Sequence, residues 1–182
     1  FACRIKILDD EGKELPIGEI GTVYFADRIG DFSYYREPDK TAACISPEGW
    51  GTVGDVGYLN EHGYLYLSDR KDFMIISGGV NIYPQEIENQ LIMNDTVADV
   101  AVFGIPNEEF GEEVKAVVQP TQWPVDERAM EEGLLVWLRE FLSPVKVPRS
   151  IDFKEELPRL DNGKLYKRHL QQQYRDKVKL AN

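Results

Sequence analysis

Apolar and polar positions change rhythm once along this chain. Up to about residue 70 they alternate in short runs, Ile5 to Leu8, Ile20 to Phe25 and Gly57 to Leu67, with the two-residue period of half-buried strands. DDEG (9–12) and NEHG (60–63) interrupt those runs. Asp, Asn and Gly accept the positive φ of tight turns, so each segment predicts a hairpin turn. Between them, SYYREPDKTAACISPEGWG (33–51) follows neither period and is expected to be loop-rich. This half reads as antiparallel β structure.

From about Phe73 the pattern alternates between strand-like and helix-like segments. MIIS (74–77) and VNIY (80–83) are short β-rich runs. Pro84 sits where a first helical residue would, with Glu86 and Glu88 in the first turn and Ile87 and Leu91 on one face. Val97 to Ile105 and Val114 to Val118 read as strands, the first closed by Gly104 and Pro106. Asp126 is placed to cap a helix whose stripe is Met130, Leu134, Trp137, Leu138 and Phe141, stopped before Pro144. Ile151 to Phe153 is a further short strand, and Leu165 to about Lys177 a polar helix with Tyr166, Leu170 and Tyr174 at four-residue spacing. The expected class is α+β: an antiparallel β portion over residues 1–70, then a small α/β domain of antiparallel or mixed sheet with flanking helices over 71–182. The boundary falls at the short polar stretch Ser68 to Asp72.

Charge narrows the function classes. The 182 residues carry 21 Lys and Arg against 32 Asp and Glu, a net charge of −11. Nonspecific nucleic-acid binding and attraction to an anionic membrane are therefore poor starting points. Residues 154–182 run the other way, with eight basic and four acidic side chains. Such a tail is either a solvated helix face or the place where an anionic substrate is met. No apolar run approaches the roughly 20 residues of a membrane span. The opening segment FACRIKILDDEGKELP is unlike a signal peptide, and together with the lack of an initiating Met it suggests a piece of something longer. Cys3 and Cys44 are far apart, with no CxxC, which suits a reducing cytoplasm and gives no zinc site; no metal-binding residues are expected.

Of the common chemical motifs, GxGxxG is absent. Asn162-Gly163-Lys164 has the end of a phosphate loop, but Leu165 follows the Lys and Pro158 stands where the loop needs its first Gly. His62 and His169 have no metal-ligand or nucleophile arrangement around them, and His62 reads as a hairpin residue. Four segments have two readings each. In GWGTVGDVGYL, Asp55 is either a turn residue or a carboxylate accepting two hydroxyls, as from a ribose. In SDRKDF, Arg70 and Asp72 form a salt-bridged surface loop, or Arg70 is a fork donor for phosphate. SGGVNIYP is a hairpin, or a glycine bend that lets another molecule approach the backbone. In LPRLDNGKLYKR, Lys164 is a solvated lysine or a cation presented by a Gly turn.

Together, GWGTVGDVGYLNEHGYLYLSDRKDFMIISGGVNIYPQEIE and the LPRLDNGKLYKR some seventy residues later resemble the adenylate-forming (AMP-binding) superfamily, most closely acyl-CoA synthetases of the fatty-acid–CoA ligase type. The resemblance implies that residues 1–70 are the terminal β-barrel part of a large N-terminal domain and 71–182 a mobile C-terminal domain hinged near Asp72. It implies an enzyme that joins a carboxylic acid, fatty or aromatic, to coenzyme A through an acyl-adenylate. ATP with Mg2+ and coenzyme A would be the co-substrates, the Mg2+ site lying in the N-terminal domain. Matched to the family's motifs, Asp55 and Arg70 hold the nucleotide, and Asp72 is the hinge. Lys164 bridges the substrate carboxylate and the α-phosphate, and Ser77, Gly78, Gly79 and Asn81 line the pantetheine tunnel. Leu160 and Asn162 depart from the family's Pro-Arg-Thr…Gly-Lys pattern, whereas Pro158, Arg159, Gly163 and Lys164 keep it. The chain by itself, without the N-terminal ATP phosphate loop, is expected to be inactive. A noncatalytic module of the same fold and a peptide-synthetase adenylation domain are the alternatives.

Overall fold

A computed structural model describes residues 4–26, 33–46 and 48–181, the side chains of 179 and 181 excepted; Cys3 lies outside this set. The fold is α+β, and the chain divides into two compact units, Phe1–Asp72 and Phe73–Asn182.

The first unit is built on four antiparallel strands in sequence order, β1 (Ile5–Leu8), β2 (Gly21–Phe25), β3 (Asp55–Leu59) and β4 (Leu65–Arg70). Among the described residues no pairing joins β1 to β4, so the sheet is open there. Ile7, Leu8, Val23 and Val56 are its buried apolar side chains, and Thr22 is buried beside them. NEHG closes β3 onto β4 as expected: the Asn60 carboxamide oxygen accepts the backbone N–H groups of His62 and Tyr64, and Gly63 takes φ +77°. DDEG also turns the chain, but it pairs Leu8 with Glu14 through one bridge and does not join β1 to β2. The loop-rich centre holds a six-residue helix, α1 (Pro38–Ala43). It buries no side chain, so it leaves no apolar stripe in the sequence.

In the second unit, β5 (Ile75–Ser77), β6 (Val80–Ile82), β7 (Val97–Asn107) and β8 (Gly111–Pro120) form an antiparallel sheet in the order β6-β5-β8-β7, and β9 (Ser150–Phe153) lies parallel to β8. Helices α2 (Pro84–Ile92), α3 (Glu127–Phe141) and α4 (Lys167–Ala181) complete it. Side chains alternate across a strand, and here both faces are covered. Val100 and Val102 of β7 and Val114, Ala116 and Val118 of β8 join Ile87, Leu91, Leu134 and Leu138 from α2 and α3 in one core. Ala101, Phe103, Ile105 and Val117 point the other way, onto Leu170 and Tyr174 of α4. Two-sided burial explains why β7 and β8 read as nearly continuous apolar runs. Asp126 caps α3 by accepting the Ala129 N–H at 3.1 Å. On α3 the inward stripe is carried by Leu134 and Leu138, while Phe141 is half exposed and leans on the Trp137 ring. Among the described residues no helix is long and apolar enough to cross a membrane.

Candidate functional site

Asp55 and Arg70 are opposite each other in the β3–β4 register, at the end of the ladder farthest from the NEHG turn. The Arg70 Nε lies 3.3 Å from Asp55 Oδ1, with the carboxylate about a quarter exposed and the guanidinium about half. Arg70 also reaches the Val53 carbonyl at 3.4 Å. The approach to Asp55 is shaped by Thr52, whose buried hydroxyl donates to the Val23 carbonyl at 2.7 Å and accepts the Gly54 N–H at 3.0 Å. Gly54, at φ +81°, then turns the chain into β3, and its carbonyl accepts the Lys71 N–H. A carboxylate with an oxygen open to solvent beside a fork of N–H donors can take vicinal hydroxyls on the first and an anion on the second. Asp72 sits in the 3-10 turn Lys71–Phe73 and is the last residue of the first unit.

Ser77, Gly78, Gly79 and Asn81 belong to the hairpin β5–β6. Gly78 (φ +57°) and Gly79 (φ +80°) are its two turn residues, between the paired Ser77 and Val80. Positive φ at both central positions is the type I′ geometry that glycine meets without strain. The Gly78 N–H donates to the Phe110 carbonyl at 2.9 Å, which ties the bend to the loop between β7 and β8. Ser77 is buried and lines a cleft of about 780 Å³ with Phe110, Arg139 and Arg149; Asn81 is exposed on β6. The Arg149 guanidinium lies over the Phe110 ring.

Lys164 stands near the tip of a small loop that leaves and returns through the single bridge Arg159–Leu165. Gly163, at φ +82°, makes the turn, and its N–H donates to the Leu160 carbonyl at 2.7 Å. The Asn162 side chain accepts the Lys164 N–H at 3.1 Å. Lys164 is exposed, and among the described residues its ammonium has no ion-pair partner. Its basic neighbours differ. Arg159 pairs with Asp99, and Lys167 with Glu88 at 2.6 Å. Lys167 therefore departs from the solvated-face reading of the basic tail: its side chain is 11% exposed, lies over the Phe73 ring, and meets a carboxylate that is itself 9% exposed. Glu88 also accepts the Val102 N–H at 2.7 Å, so the first turn of α4 is joined to α2 and to the middle of β7.

A second polar cluster has no counterpart among the expected site residues. Lys115, 7% exposed on β8, donates to the Ser150 hydroxyl at 2.9 Å and pairs with Asp152. Asp152 also accepts the Tyr174 hydroxyl hydrogen at 2.7 Å. Burial alone would raise the Asp152 carboxyl, but the hydrogen bonds from Lys115 and Tyr174 and the Lys115 charge outweigh it and hold the group below the usual carboxylate range. Burial, reinforced by Asp152, pushes the Tyr174 hydroxyl well above its ordinary value. The cluster fastens β8, β9 and α4 together. Among the described residues no set of three His, Cys, Asp or Glu side chains converges as a metal site.

Asp55, Arg70 and Asp72 thus fall in the first unit, and Ser77, Gly78, Gly79, Asn81 and Lys164 in the second. Comparison with known proteins bears on what they do. Residues 86–164 match the family described as the AMP-binding enzyme C-terminal domain. The chain is 35% identical over 177 residues to a long-chain-fatty-acid–CoA ligase of Salmonella typhimurium, covering 97% of this chain and 31% of that protein. It is 38% identical over 173 residues to the fatty acid–[acyl-carrier-protein] ligase ScoC of Streptomyces coeruleorubidus, covering 94% of this chain and 32% of that one. Among solved structures it is similar to ATP-bound MatB from Rhodopseudomonas palustris, with a TM-score of 0.82 and 33% identity over 96% of this chain and 34% of that one. The chain spans about a third of the length of the curated relatives it matches.

Proposed function

The chain belongs to the AMP-binding, adenylate-forming enzymes, and from that premise we propose that it supplies the C-terminal working parts of an ATP-dependent acyl-CoA synthetase. In the first half-reaction an acid's carboxylate oxygen attacks the α-phosphorus of ATP, and pyrophosphate leaves. In the second, a thiol attacks the acyl carbon and AMP leaves. Asp55 accepts the two ribose hydroxyls, and Arg70 turns its remaining N–H groups toward ribose and phosphate. Lys164 neutralises charge on the substrate carboxylate and the α-phosphate oxygens as the bond between them forms. A lysine suits that place because it is a compact charge on a flexible four-carbon stem. Ser77, Gly78, Gly79 and Asn81 border the path of the thiol arm, and Asp72 is the pivot between the two half-reactions. The Mg2+ that accompanies ATP is assigned, from the family resemblance, to the N-terminal domain. ATP as co-substrate and the pair of cysteines without a partner motif both suit the cytoplasm.

The observation that carries this reading is the contrast along the basic tail: Arg159 and Lys167 are held in ion pairs, while Lys164 is presented to solvent on a glycine turn. In the complete enzyme, Lys164→Ala should lower carboxylate-dependent pyrophosphate exchange by about 10²–10³-fold, the range seen when a donor to a developing oxyanion is removed. Thioester formation from supplied acyl-adenylate should persist. Loss of both steps alike, or of neither, overturns the assignment. Coenzyme A and an acyl carrier protein offer the same pantetheine thiol, and ScoC is named for the second. Running the second step with each acceptor identifies the one this enzyme uses.

A further inference from the structure

The loop that presents Lys164 is mounted on one rung of the β7–β8 ladder. Asp99 and Gln119 face each other in that register. The Gln119 side chain accepts the Leu157 N–H at 3.1 Å, and the Asp99 carboxylate pairs with the Arg159 guanidinium. Leu157 is buried against the α4 side of the sheet, so the approach to the loop is fixed by packing as well. From Asp99 the guanidinium reaches across the mouth of the loop, and its Nη1 donates to the Gly163 carbonyl at 2.8 Å. Gly163 is the residue directly before Lys164, and its carbonyl carbon is bonded to the Lys164 nitrogen. Only a fork can bond a carboxylate on one nitrogen and a carbonyl on another; a lysine here would have a single nitrogen for both.

We propose that Asp99 and Arg159 are positioning residues for Lys164: the Asp99–Arg159–Gly163 relay holds the loop in one pose on the sheet, so that the ammonium leaves it in a fixed direction. The inference rests on the role given to Lys164 above. Its physical basis is that a misplacement of about 1 Å in a reacting constellation can cost on the order of 10²-fold in rate. Arg159 touches no reacting atom, and its effect passes through the backbone of its neighbour's loop.

Two measurements on the complete enzyme decide it. In the first, Arg159→Gln and Asp99→Ala are made with Lys164 present and again in the Lys164→Ala background. With Lys164 present, each should slow adenylate formation about 10–100-fold through kcat, and each should change nothing once Lys164 is gone. A rate within twofold of the parent, or an equal loss in both backgrounds, overturns the proposal, because a merely structural contact would cost the same in either. The second measurement is nicking by a lysine-specific protease after Lys164, which reads the loop without reference to catalysis. Both variants should be cut at least five times faster than the parent, and Arg159→Lys should fall between. Unchanged nicking defeats the positioning role whatever Lys164 does. If Lys164→Ala leaves the first half-reaction intact while nicking is accelerated, the mount stands and the role proposed for Lys164 fails.

Discussion

Asp152 holds two partners at once, the Lys115 ammonium and the Tyr174 hydroxyl, and its titration should register in stability. Its folded-state pKa lies below the unfolded one, so the stabilisation is complete above the unfolded value and is lost as pH falls through the folded value. Unfolding free energy should be level down to about pH 5 and decline below about pH 4. Asp152→Asn should flatten that decline and cost about 1 kcal/mol at neutral pH, since the carboxylate is too exposed to give the full value of a buried pair. Urea unfolding at pH 3, 4 and 7 checks both. The Tyr174 hydroxyl acts in the opposite sense: its raised pKa gives stability that is lost as pH rises above about 10. Residue types and local turns were legible in the sequence at this scale, as with the Asp126 cap and the glycine before Lys164. Long-range partners were not. Nothing in the order of residues joins Lys167 to Glu88 or Arg159 to Asp99, because side-chain pairing across 79 or 60 residues is decided by packing.

Elements followed their periodicity wherever one face is buried. Strands β1, β2, β3, β5, β6, β7, β8 and β9 and helices α2, α3 and α4 are all foreshadowed by their apolar spacing. The six-residue α1 is not, since a helix that buries nothing writes no stripe. The hairpin joining β7 to β8 was missed as a unit as well: its turn, with Gly111 at φ +79°, is preceded by Asn, Glu, Glu and Phe, and lacks the short Asn-Gly or Asp-Gly signature. Gly57 shows what a strand glycine can be for. It sits at the register shift between β3 and β4, and a Cβ there would collide with the Tyr66 carbonyl oxygen. The obstacle is backbone, which cannot rotate aside. Gly57→Ala should therefore open the β3–β4 ladder and destabilise the first unit by about 2–3 kcal/mol, toward the upper end for single substitutions. Amide hydrogen exchange along Asp55–Leu59 and Leu65–Arg70 would show it as lost protection; because Gly57 does not have the positive φ that favours glycine, the loss would report the steric clash alone.

For the whole molecule, the division after Asp72 makes the 3-10 turn Lys71–Phe73 the segment to perturb. Asp72→Pro would fix φ near −65°, close to the 3-10 value, yet it would push Lys71 out of the α region and so unmake the turn. If Asp72 is the pivot, the two half-reactions should lose unequally, by about tenfold or more in their ratio. Separate assays of pyrophosphate exchange and thioester formation measure that ratio, and equal losses would remove Asp72 from the mechanism. At this scale the family resemblance told more than the physical pattern did, since charge and periodicity alone leave open whether the basic tail serves chemistry or solubility. The bend at Gly78 and Gly79 has one more consequence. Having no side chains, it presents only backbone groups, which are identical in every protein, and of these the Gly78 N–H is already given to the Phe110 carbonyl. On the role proposed above, such a surface suits a thiol arm whose structure never varies, and the choice among acids would fall to residues other than these.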